Sequence, residues 1–395
     1  MKLYNSIQAY SWGSTKIISH LLGNKEANNP QAELWMGAHP KASSKVKLDG
    51  KFVPLDDLIR RLPEYLLGKR IYNSYKGLPF LLKVLAVAKP LSIQVHPMLS
   101  QALNGFYKEE QLQIPIDSPH RNYRDKQDKP ELIVAIEPYS MLVGFKSYDQ
   151  IINSLKQFDI APLKRALYFM HRDPNKERLR RLISLALQLS KEDRFKLVDE
   201  IVSLSKNNHN KESKRIQELA NEFPGDIGVL GPLLLNMVDL APGEGVFVGA
   251  GLFHTSLSGT AIELQANSDN VIRGGLTSKH VDIHEIIHIG DFNPHIPTII
   301  TGNQHNSEEY HYYTAAKEFA LSEIILGGLN KQSRLSFLTN TSPEILFVLE
   351  GNCVISDSNG EETNCKKGES VIVPACINSF TLKGTGKIFR AKVPT

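Results

Sequence analysis

Cysteine is scarce in this sequence: the chain of 395 residues has three, Cys353, Cys365 and Cys376, all in its last quarter. An odd and small number of thiols excludes the disulfide framework on which small secreted domains depend. The three also lack a CxxC pair or a nearby CxH spacing, which argues against a metal site built from thiolates. We therefore expect buried or half-buried free thiols.

The chain also lacks a long apolar run and a concentrated charge of either sign. No stretch approaches the ~18 uninterrupted apolar residues of a membrane-spanning helix. The first residues, MKLYNSIQAYSWGS, lack the basic and then apolar order of a secretory signal. The net charge is only +4, far from the basic surface that nucleic-acid binding needs. We expect a cytoplasmic protein with no nucleic-acid or membrane partner, and a small anionic substrate is compatible with it.

The spacing of apolar residues divides the chain into three parts. Residues 1–146 and 239–300 have short β-rich runs separated by turn residues. Residues 147–238 instead have apolar residues at helical spacing, with charges between them. In that block, Ser190 followed by Asp193 forms a capping signal that predicts a helix over residues 191–205. The sequence thus predicts a mainly β protein with an α-helical insertion.

The C-terminal part, residues 301–395, is predicted to be a second barrel. From about Phe319, strands such as EILFVLEG and VIVPA alternate with glycine turns, a pattern that resembles the second half of a cupin barrel motif. We identify no histidine or carboxylate cluster at ligand positions in this part. We therefore expect a structural or regulatory barrel.

Two residues at the end of an apolar run, Gln94 and His96, are candidate metal ligands. Residues two apart in a strand point to the same face, so both side chains would enter one cavity. The alternative is a hydrogen-bonded core histidine.

A second pair, Lys129 and Glu131, flanks a proline immediately before the apolar run LIVAI. Because proline cannot continue a strand ladder on its N side, a strand starts here, and its side chains face a barrel mouth. A carboxylate at Glu131, beside a buried run, needs a cation. The alternative is that both side chains are solvated.

A histidine and a carboxylate, His254 and Glu263, lie in two neighbouring β-rich runs, GEGVFVGAGLFHTSL and TAIELQAN. A turn at Ser258 and Gly259 predicts that these runs form a hairpin. Glu263 would then lie on the strand that faces the histidine strand.

A dense polar run, residues 267–275, follows this predicted hairpin and includes Arg273 beside Gly274 and Gly275. The glycines let backbone or substrate approach closely. Arginine forms bidentate bonds to phosphate or to a developing oxyanion. Packing alone does not explain this arrangement.

The run from His284 to His288 matches the HExxH motif of zinc metallopeptidases. Its context is poor, because Gly290 and Pro294 stop the helix soon after the second histidine. We favour a short surface helix and keep a metallopeptidase that uses His284 and His288 as an alternative.

Six ordered segments together resemble type I phosphomannose isomerases, a zinc-dependent branch of the cupin superfamily. They are QAYSWGS, AELWMGAHPKASS, PFLLKVLAVAKPLSIQVHP, NYRDKQDKPEL, FPGDIGVLGPLLLN and ANSDNVIRGGLTSKHVD, and they span most of residues 8–283. The resemblance implies one zinc ion per chain, held by Gln94, His96, Glu131 and His254. It also implies a catalytic cupin-like barrel from residues 1–146 and 239–300, a helical domain from 147–238 and a C-terminal cupin-like barrel from 301–395.

The same resemblance implies an aldose-ketose isomerase, an intramolecular oxidoreductase of carbohydrate metabolism that interconverts mannose 6-phosphate and fructose 6-phosphate through an enediol. It assigns Arg273 as a catalytic residue and places Lys129 and Lys279 in the pocket of the phosphorylated hexose. Ser92, on the strand face of the two predicted ligands, is a weaker candidate for the phosphate. We expect a monomer or weak oligomer.

The general base stays open between Glu263, Asp269 and a zinc-bound water. The chain departs from the family pattern at Met98, at Asp128 and at Thr255, but none of these departures removes a proposed ligand. A sugar-binding cupin without catalysis remains a further alternative.

Overall fold

A computed structural model of the chain describes residues 1–158, 163–327, 333–339 and 341–394. This part contains two large antiparallel sheets, a small hairpin sheet and a block of helices. The predicted class, mainly β with an α-helical insertion, is confirmed. No helix within these ranges is both long and apolar enough to cross a membrane.

The strands lie on both sides of the long run of helices in the sequence, with β1–β9 before it and β10–β22 after it. They are β1 (Lys2–Leu3), β2 (Ser6–Gln8), β3 (Glu33–Met36), β4 (Lys45–Leu48), β5 (Lys51–Pro54), β6 (Phe80–Val87), β7 (Ile93–Val95), β8 (Glu131–Ala135), β9 (Tyr139–Phe145), β10 (Leu235–Leu240), β11 (Glu244–Val248), β12 (His254–Ala266), β13 (Ile272–Gly275), β14 (Ile299–Thr301), β15 (Asn303–Gln304), β16 (Glu309–Tyr312), β17 (Ala320–Leu326), β18 (Ser333–Leu338), β19 (Glu344–Asp357), β20 (Glu362–Lys366), β21 (Ser370–Val373) and β22 (Ser379–Lys392).

The longest run of helices lies between β9 and β10. The helices are α1 (Ile17–Leu21), α2 (Leu55–Arg61), α3 (Pro63–Tyr75), α4 (Leu99–Gln111), α5 (Tyr148–Leu155), α6 (Lys164–Arg172), α7 (Lys176–Gln188), α8 (Lys191–Ser205), α9 (Lys211–Glu222), α10 (Gly231–Leu234) and α11 (Ile283–Ile289), with a 3₁₀ turn at Ile227–Leu230. Helix α8 covers the predicted range, and the Ser190 hydroxyl caps it by accepting from the Asp193 amide at 3.1 Å.

The first sheet has eleven strands and is built around β12. This strand is unbroken, so the predicted hairpin turn at Ser258 and Gly259 is wrong. Its first part pairs with β7 and β9, and its second part pairs with β6 and β8. The register shifts before Ser258, and Gly259 has a φ of 116°. A glycine inside a strand often marks such a bulge, and here it bends one strand across both parts of the sheet.

Alternate residues of the central strands of this sheet enter two different cores. Leu82 and Val84 of β6 belong to the core that includes side chains of the second sheet. Leu85 and Val87 belong to a separate core on the opposite face, which we call the inner face. Lys83 shares the inner face because side chains two apart in a strand point the same way. The polar residues described below come mostly from this face.

The second sheet has nine strands, in the order β1-β21-β19-β22-β17-β16-β15, with β18 on β22 and β20 on β19. Its first strand comes from the N-terminus and pairs with β21. Cys353 and Cys365 lie opposite each other on β19 and β20, and both thiols are free and buried as expected. Cys376 is also free, but it is exposed rather than buried.

Candidate active site

Three side chains from distant segments meet at one end of the inner face: His96 follows β7, Glu131 starts β8 and His254 starts β12. One donor atom of each lies within 4.8 Å of the others. His96 Nε2 is 3.3 Å from Glu131 Oε1, and His254 Nε2 is 3.4 Å from Glu131 Oε2. All three residues are buried. Two imidazole nitrogens and a carboxylate are a donor set typical of zinc sites.

Both imidazoles form hydrogen bonds through Nδ1, so their Nε2 atoms can coordinate such an ion. His96 Nδ1 lies 2.8 Å from the backbone oxygen of Asn270, and His254 Nδ1 lies 3.0 Å from that of Leu252. Each ring therefore donates from Nδ1 and presents a bare Nε2. His96 Nε2 is buried and has no hydrogen-bond partner among the residues that the structure describes. The three side chains therefore fit a divalent transition metal.

The charges around this cluster also favour metal ligation. Lys129 Nζ donates to Glu131 Oε1 at 2.7 Å. Burial alone would raise the pKa of Glu131, but Lys129 and then His96 outweigh it and hold that pKa well below its usual value. Burial, followed by the charge of Lys129, lowers the pKa of His96 to about 4. At neutral pH the carboxylate is thus charged and the His96 imidazole neutral, as a metal ligand must be.

The predicted fourth ligand, Gln94, lies beside the cluster. In the strand register, Gln94 of β7 pairs with His254 of β12 on one side and with Arg273 of β13 on the other. It is half-buried and contributes to the wall of a cavity of about 680 Å³. Six sequence-predicted residues line this cavity: Ser92, Gln94, Lys129, Asp269, Arg273 and Lys279.

Positive charge without a matching carboxylate collects along the cavity wall. Arg273, Lys279 and Arg124 all line the cavity. None of the three has an ion pair to a carboxylate within the described ranges. Burial and then Arg124 lower the pKa of Arg273, and burial and then Arg273 lower the pKa of Lys279. Like charges held together in this way favour an anionic ligand.

The sequence analysis missed a buried lysine at the centre of the inner face. Lys83 Nζ lies 2.6 Å from Glu263 Oε2, 2.6 Å from Gln265 Oε1 and 3.6 Å from Glu33 Oε2. The Lys83 side chain also lies over the ring of Trp35, with its Nζ 5.5 Å from the ring centroid. A lone charged residue inside the apolar strand FLLKVLAV was the signal that could have identified it.

Burial and the neighbouring charges have opposing effects on the pKa values of Lys83 and Glu263. Burial lowers the pKa of Lys83, but Glu263 and then Glu33 outweigh burial and raise it. For Glu263, burial is the largest effect and raises its pKa despite the neighbouring ammonium.

The prediction that Glu263 lies on a strand facing that of His254 is wrong, because both residues lie on β12.

The second predicted base, Asp269, is held by two cations. Its carboxylate lies 2.8 Å from Lys41 Nζ and 3.6 Å from His39 Nε2. Burial would raise the pKa of Asp269, but His39 and then Lys41 hold it well below its usual value.

The polar run that contains Asp269 is fixed by its neighbour Asn270, which is fully buried. The Asn270 side chain accepts from the backbone amide of Arg124 at 2.7 Å and donates to the backbone oxygen of Gln127 at 2.8 Å. Its own backbone oxygen accepts from His96. Asn270 therefore links the loop before β8 to a candidate metal ligand.

The HExxH motif forms no metal site within the described part of the chain. It lies on α11, and both His284 and His288 are exposed. The glutamate between them, Glu285, instead accepts a hydrogen bond from the Tyr123 hydroxyl. The motif is therefore a short surface helix, as the sequence analysis favoured.

The second sheet does contain a histidine and carboxylate cluster, contrary to expectation. His305, Glu309 and His311 have donor atoms within 4.8 Å of one another. The sequence analysis missed it because the polar run NQHNSEEYHYY has no apolar alternation that would predict a hairpin.

Comparison with known proteins finds relatives along nearly the whole chain. A profile of the phosphomannose isomerase type I catalytic domain matches residues 1–148, and a profile of the mannose-6-phosphate isomerase cupin domain matches residues 310–393. The mannose-6-phosphate isomerases of Salmonella typhimurium and Escherichia coli are each 36% identical to this chain over 392 residues, which is 98% of both chains.

Solved structures are similar over the same extent. A zinc-bound mannose 6-phosphate isomerase superposes with a TM-score of 0.91 at 34% identity, covering 100% of this chain and 99% of that one. A variant of the phosphomannose isomerase from Salmonella typhimurium superposes with a TM-score of 0.93 at the same identity and coverage.

Proposed function

Because the chain belongs to the type I phosphomannose isomerase family, a family of isomerases, we propose that it interconverts mannose 6-phosphate and fructose 6-phosphate at a zinc site. One observation carries this proposal. His96, Glu131 and His254 converge within 4.8 Å, and Lys129, which bonds to Glu131, lines a cavity together with Arg273, Lys279 and Arg124. These last three cations have no carboxylate ion pair in the described part of the chain. A metal beside a cationic pocket suits a phosphorylated sugar.

The ion would be held by His96, Glu131 and His254, with Gln94 as the fourth ligand. When bound, zinc supplies a Lewis acid that polarises a sugar oxygen, an effect of several kcal/mol. The neutral amide of Gln94 keeps the ligand set less anionic than one of carboxylates only. Asn270 holds the His96 ring in the tautomer that presents Nε2.

The isomerisation moves a proton between C2 and C1 through an enediol, so one carbon is oxidised while its neighbour is reduced. We assign this proton to the pair of Glu263 and Lys83. Burial raises the pKa of Glu263, which makes its carboxylate a stronger base. Asp269 suits the role less, because Lys41 and His39 hold it as a stable carboxylate.

The cations of the cavity wall would bind the phosphate and stabilise the developing negative charge. Arg273 and Lys279 line the cavity with no carboxylate partner in the described ranges, so their charges are available to the substrate. Arg273 is the group that we assign to the developing charge because it neighbours Gln94 in the register. Ser92 adds a hydroxyl to the same wall.

The test is coupled detection of fructose 6-phosphate formed from mannose 6-phosphate, with and without a chelator. We expect activity that the chelator abolishes and zinc restores. His96→Ala should lose activity together with the zinc ion of this site, whereas the surface variant His288→Ala should keep both. Retained activity in metal-free protein would overturn the zinc proposal.

The alternative of a sugar-binding cupin without catalysis predicts a different result. Zinc-loaded protein would then bind mannose 6-phosphate but form no fructose 6-phosphate. The cytoplasm as compartment, and a monomer or weak oligomer as the assembly, stay predictions.

A further inference from the structure

We propose that the second sheet contains a further zinc site, formed by His305, Glu309 and His311. These residues lie in the hairpin of β15 and β16, far in sequence from the ligands of the proposed active site. Their donor atoms lie within 4.8 Å of one another, and His311 Nε2 is 3.3 Å from Glu309 Oε1. This proposal does not depend on the function proposed above.

The hairpin register brings the three side chains to one face. Asn303 pairs with His311 and Gln304 with Tyr310, and the His305 amide donates to the Glu309 backbone oxygen at 2.8 Å. His305 therefore lies opposite Glu309, and His311 lies two residues further along the same strand. Residues opposite each other and residues two apart share a face of a two-stranded ribbon.

The turn of this hairpin is fixed by its own hydrogen bonds. The Asn306 side chain accepts from the backbone amides of Glu308 at 3.0 Å and Glu309 at 2.8 Å. Such an Asx turn holds the two strands in register. The backbone that carries the candidate ligands is therefore fixed before any ion binds.

The carboxylate of Glu309 is oriented by groups behind it. Ser322 Oγ donates to Glu309 Oε1 at 2.7 Å, and Arg390 Nη1 donates to the same oxygen at 3.0 Å. Both bonds use Oε1, and no bond to Oε2 occurs among the residues that the structure describes. The charge of Arg390 is shared with Glu344, which it contacts at 2.6 and 2.7 Å. Ligating carboxylates are commonly held by such outer partners.

The imidazoles supply the observation that points to a ligand. His311 Nε2 is buried and has no hydrogen-bond partner within the described part of the chain. A buried polar atom without a hydrogen bond is costly and requires an explanation. The rings of His305 and His311 are stacked, with centroids 4.4 Å apart. His305 is exposed, so its ring has room to turn a nitrogen toward Glu309.

The donor set identifies the ion by its chemistry. Two imidazoles and one carboxylate suit zinc, and three protein ligands leave a further position for water. An ion here would join the two strands of the β15–β16 hairpin, which Glu309 already links to β22 and β19 through Arg390 and Glu344. We therefore expect it to stabilise the second sheet rather than to take part in catalysis.

The experiment counts zinc ions per full-length chain by equilibrium dialysis and metal analysis. Wild-type protein should bind an ion that remains in His96→Ala, which we call the second ion whether or not the proposed active site binds zinc. His311→Ala should lose this second ion and keep isomerase activity, which shows that the variant is folded. If His311→Ala does not fold, His305→Ala, whose side chain is exposed, replaces it.

The matched control is the double variant His284→Ala and His288→Ala, which removes an exposed histidine pair at i and i+4 on α11. Such a pair is the natural competitor for zinc bound at the surface. The control should keep the second ion. The proposal is overturned if wild-type protein binds no second ion, if that ion persists in His311→Ala, or if it is lost from the control.

Discussion

Lys129 Nζ lies 2.7 Å from Glu131 Oε1, the same oxygen that lies 3.3 Å from His96 Nε2. The ammonium therefore contacts a candidate metal ligand directly while also lining the cavity. It keeps Glu131 ionised by lowering the pKa of that carboxyl against the effect of burial. We infer that Lys129 positions Glu131 in addition to any contact with the sugar phosphate.

Lys129→Met should weaken zinc binding. Loss of an outer partner of a metal ligand typically costs ~10–100-fold in affinity, and Glu131 would also become easier to protonate. Zinc affinity can be measured by competition with a chelator. Lys126→Met is the matched control, because Lys126 is in the same loop but bonds to the exposed Tyr107 hydroxyl. Unchanged zinc affinity with a raised KM would instead make Lys129 a substrate-binding group alone.

Arg273→Gln should reduce catalysis without reducing zinc content. Arg273 lines the cavity next to Gln94 and has no carboxylate partner in the described ranges, so its charge is available for the reacting sugar. Removing one group that stabilises a developing oxyanion costs ~10²–10³ in kcat. The measurement is kcat/KM together with bound zinc, and Arg60→Gln, whose side chain is exposed, serves as the control. Loss of zinc from Arg273→Gln would show a structural role.

Local patterns in the sequence predicted part of the arrangement around Gln94 and Glu131. The alternation of a strand suggested that Gln94 and His96 enter one cavity. Gln94 lines the cavity, whereas His96 follows the end of β7 and is fully buried in the cluster with Glu131 and His254. The strand start at Glu131 was likewise visible from the proline before it. These inferences needed only the geometry of a few consecutive residues.

Contacts that depend on strand pairing could not be predicted in the same way. Lys83 meets Glu263 because β6 and β12 pair in a particular register, over a separation of 180 residues in the sequence. The predicted turn at Gly259 failed for a related reason: a glycine suits both a turn and a bulge, and only the pairing of β12 with strands on both sides decides between them.

Lys83→Met should destabilise the protein and abolish activity. The substitution leaves Glu263 and Glu33 buried without their cation, and removing one partner of a buried ion pair costs about 3–5 kcal/mol. Urea unfolding of the chelated protein measures this loss.

The double variant Lys83→Met and Glu263→Gln separates stability from catalysis. It removes the buried Glu263 charge that Lys83→Met leaves without a cation, so the free energy of unfolding should partly recover. Activity should stay absent, because the proposed proton-transfer pair is gone. Recovery of activity along with stability would show that the pair serves only to hold the fold.

The metal-free protein should lose stability as the pH falls below about 6.5, the ordinary pKa of histidine. In the folded chain, burial and Lys129 lower the pKa of His96 to about 4. The unfolded chain therefore binds a proton at His96 in a pH range where the folded chain does not. This difference lowers the free energy of unfolding between these pH values by on the order of 3 kcal/mol.

Urea unfolding of chelator-treated protein across this pH range measures the effect. The reference is His96→Gln, which has no titrating group at this position and should show a shallower decline under the same conditions. Zinc-loaded wild-type protein should also resist the decline to lower pH, because the ion competes with protons for the imidazole. Equal slopes for wild-type and His96→Gln, both without metal, would mean that the His96 ring becomes protonated in the folded chain as readily as in the unfolded one.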